Sequence, residues 1–143
     1  MGVVKIIVLG IVLIMMTIFD IREGKLPAVA LAVSAILSLL TMVLFYRSDI
    51  KSGIYGMIVG IFIYIFARLS KVIGEGDGLL LMITGLLLGI IGNIELIFVA
   101  VFIAALVSIV LIAVFKFDKK RKMPFVPYLM VSYVAIVFMN YVY

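Results

Sequence analysis

Ser70-Lys71-Val72-Ile73-Gly74-Glu75-Gly76-Asp77-Gly78 lies between an apolar run at 54–69 and another at 79–91. Three glycines at alternate positions and two acids interrupt what is otherwise oily sequence. Such a backbone cannot lie against hydrocarbon unless protein or water satisfies its polar groups. The run that follows it, 13 residues at about 1.5 Å each, reaches only about 20 Å and is short for a bilayer crossing. A short helix with a polar, glycine-rich entry is tolerable where its end meets a polar cavity, and that reading sets the fold: helices packed in lipid, with a wet site at the break.

Outward from this stretch, further apolar runs fall at 3–19, 28–46, 96–115 and 126–143. The chain of 143 residues is 68% hydrophobic and 13% charged, and its mean hydropathy is +1.48. Soluble domains are about 45–50% apolar, so too few polar residues remain to cover a water-facing surface. At about 23 residues per span and loop, the length gives about six crossings. The expectation is an all-α polytopic membrane protein, one transmembrane domain over 1–143. Met1 to Phe19, with its early Lys5, has the outline of a secretory signal. No small-x-small cleavage pattern precedes Asp20, so it is read as an uncleaved first helix with Lys5 snorkelling to the interface.

Orientation follows from the basic residues. With six helices, nine of the 12 Lys and Arg share one side: Arg22, Lys25, Arg68, Lys71, Lys116, Lys119, Lys120, Arg121 and Lys122. By the positive-inside rule that side is cytoplasmic and both termini lie outside, Lys5 being outvoted. The net charge of +5 thus reports topology, not nucleic-acid binding. The run Lys119-Lys120-Arg121-Lys122 is expected on anionic headgroups, at about 1 kcal/mol per charge. Gly85 and Gly89 have small-x-x-x-small spacing, which suits close helix packing and, as a second reading, a homodimer contact. Pro27, Pro124 and Pro127 fall near the starts of the second and sixth helices, where a missing donor costs little.

The chain has no Cys and no His, which removes disulfides, thiolate nucleophiles, Ser-His hydrolysis and the usual metal ligand sets. No metal and no cofactor is expected. Five of the seven acids, Asp20, Glu23, Glu75, Asp77 and Asp118, fall on the cytoplasmic side, although acids contribute little to topology. Asp20 ends an apolar run and Asp77 precedes one. Each alone could be a helix-end residue, Asp77 as an N-cap. Two at one membrane face can act as a pair, the ionised member taking a proton from water and the protonated member donating to a substrate carbonyl. Like charges held close cannot both ionise cheaply, and the two titrations belong to the pair. The helix dipole assigns the anion to Asp77 and the proton to Asp20.

These residues resemble a known family, the prepilin peptidases, which are intramembrane aspartyl proteases of the Gly-x-Gly-Asp class. Phe19-Asp20-Ile21-Arg22-Glu23-Gly24-Lys25-Leu26-Pro27 is similar to the family's first catalytic segment, an Asp followed by an aliphatic-Pro pair. Gly74-Glu75-Gly76-Asp77 is similar to the second, and Pro124-Phe125-Val126-Pro127 to a Pro-Phe-Gly-Pro before the last helix. The chain departs from the pattern at Ala28, where Asn is usual, at Leu79, where Lys is frequent, and at Val126. It also starts directly at its first helix and looks like a short form without the methylation-associated N-terminal segment.

The resemblance implies catalytic Asp20 and Asp77, with Gly74, Gly76, Gly78 and Pro27 shaping the backbone. It implies cleavage of the short basic leader of type IV pilin-like precursors at the cytoplasmic face of the cell membrane, with those precursors and the bilayer as partners. Glu23 and Glu75 are placed to meet the basic leader. The glycines are expected to let substrate backbone approach. The competing classes are a small transporter or channel subunit with proton- or cation-binding aspartates, for which neither an inverted repeat nor a mid-membrane charge is seen, and a non-catalytic pilin-binding assembly protein.

Overall fold

The apolar runs become helices because a backbone in an apolar setting must satisfy its own hydrogen bonds. A computed structural model describes residues 2–70, 74–115 and 124–142; Lys71, Lys116, Asp118 and the basic run 119–122 lie outside them. In chain order the helices are α1 Val3–Glu23, α2 Ala28–Phe45, a 3-10 turn at Arg47–Asp49, α3 Ile50–Ser70, α4 Glu75–Phe115 and α5 Val126–Val142. Among the described residues the expected six runs thus resolve into five helices. Four are long and apolar enough to cross a membrane, and Val126–Asn140 is a shorter apolar helix.

α1 runs four residues beyond the apolar run, so Asp20 does not end the helix. It lies in the last turn, where its carbonyl accepts the Gly24 N–H at 3.0 Å. Gly24 closes the helix at φ 61°, a left-handed conformation that glycine adopts without a Cβ penalty. Leu9, Val12, Leu13 and Met16 form the buried stripe of α1, at the spacing of one helical face.

The largest departure from expectation is in α4, where the fourth and fifth runs are joined. The break lies at Gly89, with φ 73° and ψ −176°, and not at the polar residues 92–95. Asn93 is completely buried, and its Nδ2 donates to Leu81 O at 3.0 Å and to Gly56 O at 3.2 Å. Twelve residues along a straight helix would span about 18 Å, so the second arm, 90–115, must fold back from the first, 75–88, at Gly89. Thr84 Oγ1 donates to Asn93 Oδ1 at 2.8 Å, which completes the buried amide's bonding. An unpaired amide in an apolar core would be costly, and its full set of partners fixes the bend.

α3 packs antiparallel on the first arm of α4 through positions without side chains. A Cβ on Gly53 would lie 2.5 Å from Leu86 O, and one on Gly56 would collide with Gly85 O. A Cβ on Gly85 would collide in turn with Gly56 O. The close-packing reading of Gly85 and Gly89 therefore holds within one chain, since a Cβ on Gly56 would also lie 2.6 Å from the Gly89 carbonyl carbon, and Gly89 forms the bend as well.

At the opposite end of α1, Lys5 has a protein partner. It is 9% exposed, because its Nζ finds Asp49 Oδ2 at 2.8 Å and lies 4.4 Å from the centre of the Tyr46 ring. The pair ties the start of α1 to the turn between α2 and α3.

Two glycine substitutions separate contact from helix propensity. Gly56→Ala forces its methyl into a backbone and should destabilise by about 2–3 kcal/mol. Gly10→Ala meets only the Tyr133 ring at 3.6 Å and should stabilise by about 0.5–1 kcal/mol through helix propensity. Thermal unfolding in detergent should give shifts of opposite sign; equal shifts would contradict the packing.

Candidate active site

Three helix ends supply the site. α1 presents Asp20 from its last turn, and the residue is 8% exposed. Its Oδ2 accepts the Val126 N–H at 3.0 Å, with the Phe125 N–H beside it. These are the first amides of α5, which have no partner inside their own helix. Pro127 lacks a donor, but α5 needs none there. The donor to Asp20 is a backbone group, so Val126, fully buried, supplies it as well as glycine would.

α4 presents Asp77 from its first turn. The Asp77 N–H donates to Gly74 O at 3.1 Å, and the carboxyl turns back to the Gly74 amide. Asp77 is therefore not an N-cap residue. It lies three positions into α4 and reaches back to cap the turn, half of the arrangement seen in a capping box. Asp77 is partly buried, and the charge of Asp20 is felt at its carboxyl. The structure thus brings the two aspartates into electrostatic reach, although they are 57 positions apart in sequence.

Both carboxylates meet a helix N-terminus, Asp77 that of its own helix and Asp20 that of α5. The dipole argument that gave the anion to Asp77 alone therefore does not separate them. Sequence reasoning singled out 124–127 as a pattern but missed its amides as the partners of Asp20. The signal was present, since Pro127 marks a helix start and a helix start carries free donors.

The three glycines of the break serve three different intramolecular contacts. A Cβ at Gly74 would lie 3.1 Å from Asp77 Oδ2, one at Gly76 would lie 3.0 Å from Leu26 Cβ, and one at Gly78 would lie 2.6 Å from Tyr64 Cα. Gly74 makes room for the carboxyl, Gly76 for the segment that follows Asp20, and Gly78 for the backbone of α3. Each of these close approaches is one the chain makes to itself. Pro27 stands at the N-cap of α2 with φ −67°, and its carbonyl accepts the Leu31 N–H at 3.1 Å. Glu23 and Glu75 are exposed at the end of α1 and the start of α4. Among the described residues no three acidic side chains gather as a metal site would need.

A family model described as the type IV leader peptidase family matches residues 7–115. That span includes Asp20, Asp77 and every contact between their segments, and stops short of the α5 amides. No curated protein and no solved structure matches the chain.

The Asp20–α5 link can be measured without reference to activity. Val126→Pro deletes the N–H at a position where proline fits a helix start. Hydrogen bonds to charged groups contribute about 1.5–3 kcal/mol, and a loss of that size is expected. In an Asp20→Ala background the same substitution should cost much less. Additive losses in the four-member unfolding cycle would show that the bond contributes nothing.

Proposed function

Because the chain belongs to the type IV leader peptidase family, we propose that it is an aspartic endopeptidase in which Asp20 and Asp77 share the catalysis. Its substrates are type IV pilin-like precursors, and the product is the precursor freed of its short basic leader. One observation supports this reading: two carboxylates from distant helices lie near enough for the charge of Asp20 to act on Asp77, and each meets a backbone amide.

The chemistry needs no other side chain. The ionised carboxylate takes a proton from a water molecule as that water's oxygen bonds to the scissile carbonyl carbon. The protonated carboxyl gives its proton to the carbonyl oxygen, and a neutral tetrahedral diol results. Collapse returns the carbonyl, breaks the C–N bond and transfers a proton to the departing amine. The pair ends with one proton between its members, as it began. The partly exposed Asp77 is reached by water and peptide, and the buried Asp20 is fixed in place by α5.

The face on which this occurs is the cytoplasmic one, on the strength of the nine basic residues, with six helical segments crossing when the two arms of α4 are counted apart. Both termini then lie outside the cell membrane. Glu23 and Glu75, exposed beside the pair, receive the basic leader.

Purified protein with a precursor tests the reading. The wild type should release the leader, with a bell-shaped dependence of kcat/KM on pH, because one carboxyl must be ionised and the other protonated. Asp20→Asn and Asp77→Asn should each lower the rate by about 10³-fold or more, against the 10²–10⁴-fold typical of a lost acid or base. Glu23→Gln with Glu75→Gln should raise KM by about threefold at low salt and little at high salt, as exposed charges are screened. Undiminished release by either aspartate variant would overturn the assignment.

A further inference from the structure

Polar residues bound the apolar length of α1 at both ends. Lys5, paired with Asp49 at 2.8 Å, marks one end, and Asp20 followed by exposed Arg22, Glu23 and Lys25 marks the other. Asp20 follows Lys5 by fifteen residues, which is about 22 Å of helix. The hydrocarbon of a bilayer is about 30 Å thick, so this stretch falls short by about 8 Å. Tilting would shorten its reach further. A span that is too short is met by thinning of the bilayer around it and by snorkelling of its flanking residues.

The second arm of α4 has the opposite property. Ser132 Oγ on α5 donates to Leu96 O at 3.2 Å, and Val126, six residues earlier on α5, donates to Asp20. The arm heads towards the aspartates while α5 heads away from them, so about six residues beyond Leu96, at Phe102, the arm regains the level of Asp20. Burial agrees with that register. Leu96 and Ala100 are fully buried, whereas no residue from Val101 to Leu111 is buried. The helix nevertheless continues to Phe115, about 20 Å past that level, and residues 101–115 carry no charge. Phe102, Leu106, Ile109 and Val110 are at least half exposed. Lipid is the solvent for such a surface, and tilt accommodates its excess length.

We infer that the bilayer meets this chain at two heights. It is thinned beside the last turn of α1, where Arg22 and Lys25 hold headgroups at the level of Asp20, and it keeps its full depth along the second arm of α4. Water reaches the paired carboxylates from the thinned side, at a level that hydrocarbon occupies on the other. Carboxylates at membrane depth need such an aqueous approach. The inference goes beyond the leader-peptidase reading and does not depend on it.

Ile21, 63% exposed, and Phe102, 58% exposed, stand near the same level on different helices and test the asymmetry. The chain has no cysteine, so Ile21→Cys and Phe102→Cys each place a single nitroxide label in the full-length protein, reconstituted in dioleoyl phosphatidylcholine. Ile11→Cys, in the middle of α1 and 54% exposed, supplies the value for hydrocarbon. EPR power saturation reads collisions with a water-soluble nickel chelate and with oxygen, which concentrates in lipid. The ratio of nickel to oxygen collisions should be higher at Ile21 than at Phe102 by about tenfold or more, because polar solutes enter hydrocarbon only at a cost. Equal ratios, both wet or both in lipid, would overturn the inference. Protection of Phe102 from both reagents would also overturn it, since protein and not lipid would then cover the arm.

Bilayer thickness is the second variable. Dierucoyl phosphatidylcholine has thicker hydrocarbon, and thinning it to the length of α1 costs more, so nickel collisions at Ile21 should fall about threefold from their dioleoyl value. An unchanged value would show that protein walls admit the water, and would overturn the thinning. None of these measurements involves cleavage, so their failure is distinct from failure of the peptidase reading.

Discussion

The approach of α3 to the first arm of α4 sets the positions of the other parts. Gly56 and Gly85 meet with backbone against backbone, a separation that side chains would forbid. Beside this contact the arm leaves a cavity lined by Ala28, Ala32 and Ala35 of α2, Met57 of α3 and its own Leu79, Met82 and Leu86. The same contact seats Gly78 against Tyr64 and so fixes the first turn of α4, where Asp77 stands. Gly89 and Asn93 then turn the chain so that the second arm leaves this interface, with the Asn93 amide bonded to both α3 and the first arm. A run of glycines that would weaken a soluble helix here performs the packing, since apolar side chains gain little from one another in a solvent that is itself apolar.

The aspartate site is built from helix ends. A carboxylate in the last turn of α1 faces the partial negative charge of its own helix, an adverse place for an anion. α5 compensates by presenting its unpaired first amides to Asp20. Asp77 stands at the favourable end of α4 and takes the Gly74 amide at the start of its own helix. Two acids of like charge are thereby held near each other with no basic side chain between them among the bonds described, and the backbone does the bracing. Backbone amides are suited to this task, since they stabilise charge without adding a titrating group that would compete for the proton.

Much of this was legible in sequence, and what was not has identifiable causes. Lipid makes hydropathy a strong signal, so the apolar runs and the polar break at 70–78 fall where helices and their connection are found. Asp20 and Asp77 stood out because charges next to apolar runs are costly. The bend at Gly89 was not legible, since Gly92-Asn93-Ile94-Glu95 looks more polar and Asn93 is buried only because Leu81 and Gly56 offer carbonyls. Lys5 was read as an isolated interfacial charge because its partner, Asp49, is 44 residues away. The roles of Gly74, Gly76 and Gly78 belong to three different neighbours, and no spacing rule distinguishes them. Two positions where the chain departs from the prepilin peptidase pattern, Ala28 and Leu79, both line the cavity, a juxtaposition across two helices that a linear pattern cannot show.

The two ends of the bundle illustrate how location decides what a buried charge does. At one end Lys5 and Asp49 neutralise each other directly at 2.8 Å, and Tyr46 covers the ammonium. Opposite charges so placed close a structure and leave nothing for a reagent to exploit. At the other end Asp20 and Asp77 carry the same sign, and packing alone would favour replacing either with an apolar residue. A local conflict of this kind persists where function requires it, and in the proposed reaction it is resolved when water supplies a proton and a peptide carbonyl accepts one. The ion pair and the acid pair are therefore complementary devices: the first holds α1 to the turn after α2, so that the last turn of α1 can hold Asp20 where the α5 amides and Asp77 meet it.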